Sequence, residues 1–80
     1  MSELSRLRWQ CRRGMKELDV LLESYLNDKF NQALPAEQLA FAGLLELPDP
    51  TLMAYIVGRA SPEAEEQRRV IDVLRRASGV

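Results

Sequence analysis

Residues 15–29 of the chain read MKELDVLLESYLNDK, and their pattern decides which kind of fold to expect. Apolar residues recur at the spacing i, i+3, i+4, i+7 and i+8, namely at Leu18, Leu21, Leu22, Tyr25 and Leu26. Residues at these spacings lie on one face of an α-helix, whereas a half-buried strand would alternate with a period of two. The segment therefore predicts an amphipathic helix whose apolar face organises the core.

The segments on either side of this helix also have helical periodicity, and prolines and glycines separate them. Before it, the pattern predicts a first helix from about Ser2, as its N-cap, to Arg12, with an interruption at Gly14. After it, a third helix is expected to begin at Pro35, since proline is favoured at the first helical position. Five apolar residues cover most of that helix's circumference and predict a central place for it: Leu39, Phe41, Ala42, Leu44 and Leu45.

Two further proline signals predict the starts of the last two helices. Asp49 and Pro50 indicate the N-cap and first residue of a fourth helix, which ends near Gly58. The Ser-Pro-Glu run at residues 61–63 indicates the start of a fifth. The inward faces of these two helices are expected to be formed by Leu52, Tyr55, Ile56, Val70, Ile71 and Leu74. The sequence thus predicts an all-α fold, a compact bundle of about five short helices in a single domain over residues 1–80.

Composition excludes several classes of function. The 80 residues contain no histidine and one cysteine, Cys11, which removes Ser-His-Asp and Cys-His catalysis, most zinc sites and any intramolecular disulfide. The four glycines form no phosphate-binding loop, and no uncharged run approaches the roughly 18 residues that a membrane span requires. A lone free thiol and the lack of an export signal are typical of a reducing compartment. We therefore expect a cytoplasmic protein that is not an enzyme, holds no metal and does not insert into a membrane.

Charge is unevenly distributed along the chain, although the net charge is only −1. Residues 1–16 carry five cations and one anion, whereas residues 17–50 carry seven anions and one cation. This segregation leaves two alternatives open: a small helical nucleic-acid-binding protein that uses its Arg-rich N-terminal helix on phosphates, and an adaptor that docks a partner helix. The acidic middle segment weighs against the first alternative, because it would repel a polyanion.

The densest group of chemically informative residues is the stretch WQCRRGMKELD at residues 9–19. Gly14 would cost about 1 kcal/mol relative to Ala inside a helix, so we expect it at a corner, where it can adopt a positive φ. Arg13 offers a planar fork of donors suited to a carboxylate or phosphate, and Glu17 offers a carboxylate at the start of the next helix. Two interpretations remain open: these side chains pair across the corner, or they face a partner.

Two other residues in this stretch have distinct expected environments. Cys11 continues the apolar stripe of Leu4 and Leu7, so we expect a buried thiol that packs like a small hydrophobic residue. Trp9 falls off that stripe. Its position is compatible both with a surface anchor for a partner and with partial packing in the core.

The pattern WxCRRGMxELD at residues 9–19 resembles the RGxxE signature of the SdhE family of FAD assembly factors. A second similar block is LLExxDPxL at residues 44–52, and the resemblance covers most of the chain. Tyr55 departs from the family pattern, in which this position is commonly Trp, and the region after Pro62 matches only in general character.

This resemblance implies a function that composition does not. Members of the family bind the flavoprotein subunit of succinate dehydrogenase, and in bacteria also that of fumarate reductase, and promote covalent attachment of FAD to a histidine of that subunit. The chain would then be a chaperone-like binding protein with no stably bound flavin of its own. By position, the resemblance assigns partner binding to Arg13, Gly14 and Glu17. We also expect Trp9, Arg12 and Asp19 to bind the partner.

Overall fold

A computed structural model describes residues 2–78, and within this range the chain forms five α-helices, one short 3-10 helix and no strand. The helices are α1 (Glu3–Gln10), α2 (Lys16–Asp28), α3 (Pro35–Leu44), α4 (Asp49–Val57) and α5 (Glu65–Ser78), and the 3-10 helix spans Phe30–Gln32. The predicted all-α bundle is confirmed. None of the described helices has the length and apolarity needed to cross a bilayer.

The apolar face of α2 lies in the middle of the core, as its periodicity predicts. Leu18 and Leu22 are almost completely buried. Tyr25 stacks on Phe41 of α3 with 4.6 Å between ring centroids, and Phe41 also contacts Phe30 of the 3-10 helix. The buried side chains of all five helices form one continuous cluster, which α5 joins through Val70, Ile71 and Leu74.

One of the five apolar residues that predict a central place for α3 does not belong to this core. It is Leu39, which has 74% of its surface exposed. It precedes Phe41 by two residues, and two helical residues are separated by about 200° around the axis. Because Phe41 is completely buried, Leu39 faces solvent. Tyr55 of α4 is likewise only half-buried.

The predicted helix ends at Ser2 and Gly58 are confirmed. The Oγ of Ser2 accepts a hydrogen bond from the backbone N–H of Ser5 at 3.1 Å and caps α1. Gly58 follows α4 with φ +87°, and the N–H of Arg59 donates to the carbonyl of Ala54. This left-handed ending satisfies carbonyl groups that have no partner within the helix.

The starts of α4 and α5 differ from the prediction. Asp49 is the first residue of α4 and Pro50 the second, and no side chain caps the helix. The carboxylate of Asp49 does not cap because it pairs with Arg13 instead. α5 begins at Glu65 rather than at residues 61–63, which stay outside the helix.

Candidate functional site

The corner between α1 and α2 brings together the residues that the sequence singles out. Gly14 has φ +85°, as predicted, in the left-handed region that strains residues with a side chain. Apart from its two chain neighbours, no described residue has an atom within 4 Å of a Cβ added to Gly14. The corner thus requires glycine for its backbone conformation, and the space outside it is open.

The side chain of Arg13 points into the protein, and only 11% of it is exposed. Its Nε donates to Oδ1 of Asp49 at 2.7 Å, and its Nη1 donates to the carbonyl oxygen of Leu45 at 2.6 Å. Its Nη2 donates to the carbonyl oxygen of Leu47. One guanidinium therefore ties the α1–α2 corner to the end of α3, to the α3–α4 connection and to the first residue of α4.

Asp19 holds the same corner from the α2 side. Its Oδ1 accepts a hydrogen bond from the backbone N–H of Arg13 at 2.7 Å, and its own N–H donates to the carbonyl oxygen of Met15. A carboxylate in the first turns of a helix is also favoured by the helix dipole. Both the backbone and the side chain of Arg13 are thus fixed, and contact of Asp19 with a partner stays a prediction.

The interpretation in which Arg13 and Glu17 pair across the corner is wrong. Arg13 is paired with Asp49, and the side chain of Glu17 forms no hydrogen bond or ion pair with any of residues 2–78. The side chain of Glu17 is exposed, and so is Gly14. The outer side of the corner therefore presents an open glycine next to an unpaired carboxylate.

Trp9 and Arg12 lie at the surface on the α1 side of the corner. Trp9 has 73% of its surface exposed, which excludes the alternative of substantial core packing. The side chain of Arg12 is equally exposed, and its Nε lies 3.9 Å from Oε1 of Glu23. Exposed pairs of this kind contribute about 0–1 kcal/mol, so Arg12 is readily available to a partner.

Cys11 lies beneath the corner and is completely buried, as predicted. Burial raises the pKa of its thiol to about 11, and the negative charge of Glu23 adds to this effect. The thiol is therefore protonated and unreactive at neutral pH, because the thiolate is the nucleophilic form. Its contribution to the site is packing.

Sequence reasoning missed the part that Asp49 has in this site, since it assigned the residue to a helix cap. A signal was present, because Asp49 belongs to the block at residues 44–52 that carries the second half of the resemblance. In the structure, the Arg13–Asp49 contact joins the two blocks into one unit.

The side chains exposed at this corner are of the kinds that bind another molecule through hydrogen bonds and apolar contact. Among residues 2–78, no group of three or more His, Cys, Asp or Glu side chains is arranged to hold a metal ion. The groups that are exposed at the corner are a carboxylate that accepts hydrogen bonds, an arginine that donates them, and an indole ring.

The chain is similar to known proteins over most of its length, including the α1–α2 corner. Residues 5–78 match the model of the Sdh5 family, described as flavinator of succinate dehydrogenase. The FAD assembly factor SdhE of Coxiella burnetii is 40% identical over 73 residues, covering 91% of this chain and 89% of that protein. The SdhE of Shewanella oneidensis is 37% identical over 79 residues, covering 98% and 96% of the two chains. The SdhE of Legionella pneumophila strain Paris is 43% identical over 63 residues, covering 79% and 80%. These similarities give no support to the nucleic-acid-binding or adaptor alternatives.

Proposed function

Because the chain belongs to the Sdh5 family of flavinators of succinate dehydrogenase, we propose that it is an FAD assembly factor. It binds the flavoprotein subunit of succinate dehydrogenase, and also that of fumarate reductase, and promotes covalent attachment of FAD to it. The observation that carries this proposal is the family match over residues 5–78, supported by relatives named FAD assembly factor that cover nearly the whole chain. The role is chaperone-like rather than catalytic, in keeping with a chain that has no histidine.

The proposed partner-binding surface is the outer side of the α1–α2 corner, with Gly14 and Glu17 at its centre and Trp9 and Arg12 beside them. The open space around Gly14 lets a partner backbone approach closely. The unpaired carboxylate of Glu17 suits an arginine, a lysine or a backbone N–H of the partner. Tryptophan and arginine are the residue types most enriched at the energetic centres of interfaces.

In this proposal the buried guanidinium of Arg13 acts by holding the corner, and the partly exposed Asp19 both holds the corner and contacts the partner. Their hydrogen bonds fix the backbone on both sides of Gly14 before any partner arrives. A surface that is already ordered loses less conformational entropy on binding, which increases affinity. In this proposal, Arg13 serves the site by holding the corner in its binding conformation before the partner arrives.

We also propose that the isolated chain holds no flavin and that the partner carries the FAD. The sequence contains no glycine-rich loop of the kind that binds a dinucleotide. The proposed compartment is the cytoplasm, where a single free thiol such as that of Cys11 stays reduced.

The test measures covalent flavin on the purified apo-flavoprotein subunit, incubated with FAD and with this chain, by in-gel fluorescence. Glu17→Gln keeps the size of the side chain and removes its charge, so it is expected to reduce flavinylation about tenfold or more without changing the melting temperature. Glu63→Gln is the matched control, because Glu63 is also exposed but lies in the α4–α5 connection.

The two parts of the proposal fail separately. If the wild-type chain does not increase covalent flavin at all, the assembly function is wrong. If the wild-type chain works and Glu17→Gln works equally well, the function stands and the assigned surface is wrong.

A further inference from the structure

A polar hollow of about 380 Å³ lies between the end of α4 and the outer side of α5, away from the α1–α2 corner. It is lined by Tyr55, Ser61, Arg68 and Arg75, among others, and by none of the corner residues. The proposed assembly function does not use it.

Arg75 is the unusual residue in this hollow. Its guanidinium lies over the end of α4, where a Cβ added to Gly58 would be 3.1 Å from Nη2. The guanidinium of Arg75 forms no hydrogen bond or ion pair with any described residue, and its Nε is buried without an acceptor. Buried donors without an acceptor are rare in native proteins, and a bound water or ion is one of the explanations for them.

The carboxylates that line the hollow do not neutralise Arg75. Glu65 pairs with Arg69 at 3.6 Å, and Asp72 pairs with Arg76 at 2.9 Å. Both pairs join residues four positions apart along α5, so each carboxylate already has a cation on its own helix surface. The hollow therefore keeps an excess of positive charge at Arg75.

Other donors in the hollow are also unused. The hydroxyl groups of Tyr55 and Ser61 have no hydrogen-bond partner among residues 2–78. Arg68 donates from Nη1 to the carbonyl oxygens of Pro62 and Glu63, and its Nε and Nη2 bond no described residue. Two guanidinium groups and two hydroxyl groups thus line one hollow with donors to spare.

We propose that this hollow binds a tetrahedral oxyanion, either inorganic phosphate or the phosphate group of a small ester, with Arg75 as its principal ligand. Guanidinium groups form charge-assisted hydrogen bonds to phosphate oxygens, and the two hydroxyls add neutral ones. A tetrahedral anion suits donors on several walls of the hollow better than a carboxylate, whose two oxygens lie in one plane.

The test is a titration of the isotope-labelled full chain with inorganic phosphate, followed by two-dimensional amide NMR at constant ionic strength with sodium chloride as the balancing salt. Saturable shifts are expected at residues 55, 61, 68 and 75. Arg75→Gln should weaken binding about tenfold, the equivalent of one charge-assisted hydrogen bond. Arg6→Gln is the matched control, since Arg6 is exposed, does not line the hollow and pairs with neither of its carboxylates, so the affinity should be unchanged.

Further arms identify the ligand and protect the test against misfolding. Phenyl phosphate binding more tightly than inorganic phosphate would assign the hollow to an ester, and weaker binding would assign it to the free ion. If Arg75→Gln does not fold, Tyr55→Phe takes its place and should still weaken binding. The proposal is overturned by shifts that do not saturate, by equal binding to Arg75→Gln, by acetate binding as well as phosphate, or by shifts centred on the arginines of α1.

Discussion

The Nε of Arg13 lies 2.7 Å from Oδ1 of Asp49, a contact between residues 36 positions apart in the chain. The same guanidinium bonds the carbonyl oxygens of Leu45 and Leu47, which follow the end of α3. The last carbonyls of a helix and the groups just beyond it have no partner within the helix. Arg13 satisfies them and so stabilises the arrangement of four helices, α1 to α4, around the corner.

This contact predicts a cost in stability for Arg13→Ala of about 1–3 kcal/mol, because a half-buried carboxylate and two carbonyls would lose their donor. Arg13→Ala and Asp49→Ala should also be strongly non-additive. A double-mutant cycle measured by urea denaturation is expected to give a coupling energy of about 1 kcal/mol or more.

Arg76 and Asp72 provide the control cycle. Nη2 of Arg76 lies 2.9 Å from Oδ2 of Asp72. The side chains of this pair are 79% and 54% exposed, whereas those of Arg13 and Asp49 are 11% and 32% exposed. Exposed pairs on one helix are worth about 0.3–0.5 kcal/mol. An equally small coupling between Arg13 and Asp49 would contradict a structural role for the contact.

Truncation of Leu22 tests the central position of α2. Leu22 is completely buried, so Leu22→Ala should lower the free energy of unfolding by about 2–5 kcal/mol. Val20 lies on the same helix with 53% of its surface exposed, and Val20→Ala should change stability by no more than about 0.5 kcal/mol. Equal melting temperatures for the two variants would show that the core is misplaced.

The buried thiol predicts how stability depends on pH. Burial raises the pKa of Cys11 from 9.0 to about 11, so the folded state keeps a proton that the unfolded chain releases. Below the unfolded pKa both states are protonated and the thiol has no effect. As pH rises from 9 towards 11, the free energy of unfolding should fall by up to about 1.4 kcal/mol per pH unit.

Comparison of the wild type with Cys11→Ala isolates this effect. Burial also raises the pKa of Tyr25, but Tyr25 is present in both proteins and its contribution cancels. Urea denaturation at about pH 8 and about pH 10 should show that the wild type loses more stability than the variant does. Parallel losses would mean that Cys11 is accessible to solvent.

The sequence predicted α2 well because its apolar periodicity is local and unambiguous. It could not orient α3, where apolar residues cover most of the surface and the core side is chosen by the helix that packs there. On α3 that side is marked by Phe41, which stacks on Tyr25 of α2 with 4.6 Å between ring centroids. Leu39 lies about 200° from Phe41 around the helix axis and is left in solvent.

The sequence identified residues of the site but not which of them form hydrogen bonds with each other. The position of Gly14 and its positive φ follow from local chemistry, because only glycine adopts that conformation without strain. The partner of Arg13 could not be predicted from local chemistry, because Glu17 is near Arg13 in sequence whereas Asp49 is near it only after folding. Local preference also predicted Asp49 as a helix N-cap. In the structure Asp49 is the first residue of α4, and its carboxylate pairs with the guanidinium of Arg13.

The last prediction separates conformation from docking at Gly14. Gly14→Ala and Gly14→Asn both add a Cβ to open space, so neither creates a clash within the chain. Asn adopts the left-handed conformation more readily than Ala, so Ala should cost about 1 kcal/mol of stability and Asn less. Thermal melts of both variants check this order.

Flavinylation of the partner subunit then decides between the two roles of this glycine. If a partner backbone approaches Gly14, both variants should be folded and equally deficient, because both place a Cβ in its way. If only the conformation matters, Gly14→Asn should retain more activity than Gly14→Ala, in step with stability. Gly58, the other glycine with a positive φ among the described residues, supplies the control: Gly58→Ala should lose stability but flavinylate normally while folded. We expect both Gly14 variants to fold, since no described residue outside the immediate neighbours lies within 4 Å of the added Cβ, and to fail, since that Cβ occupies the space proposed for the partner.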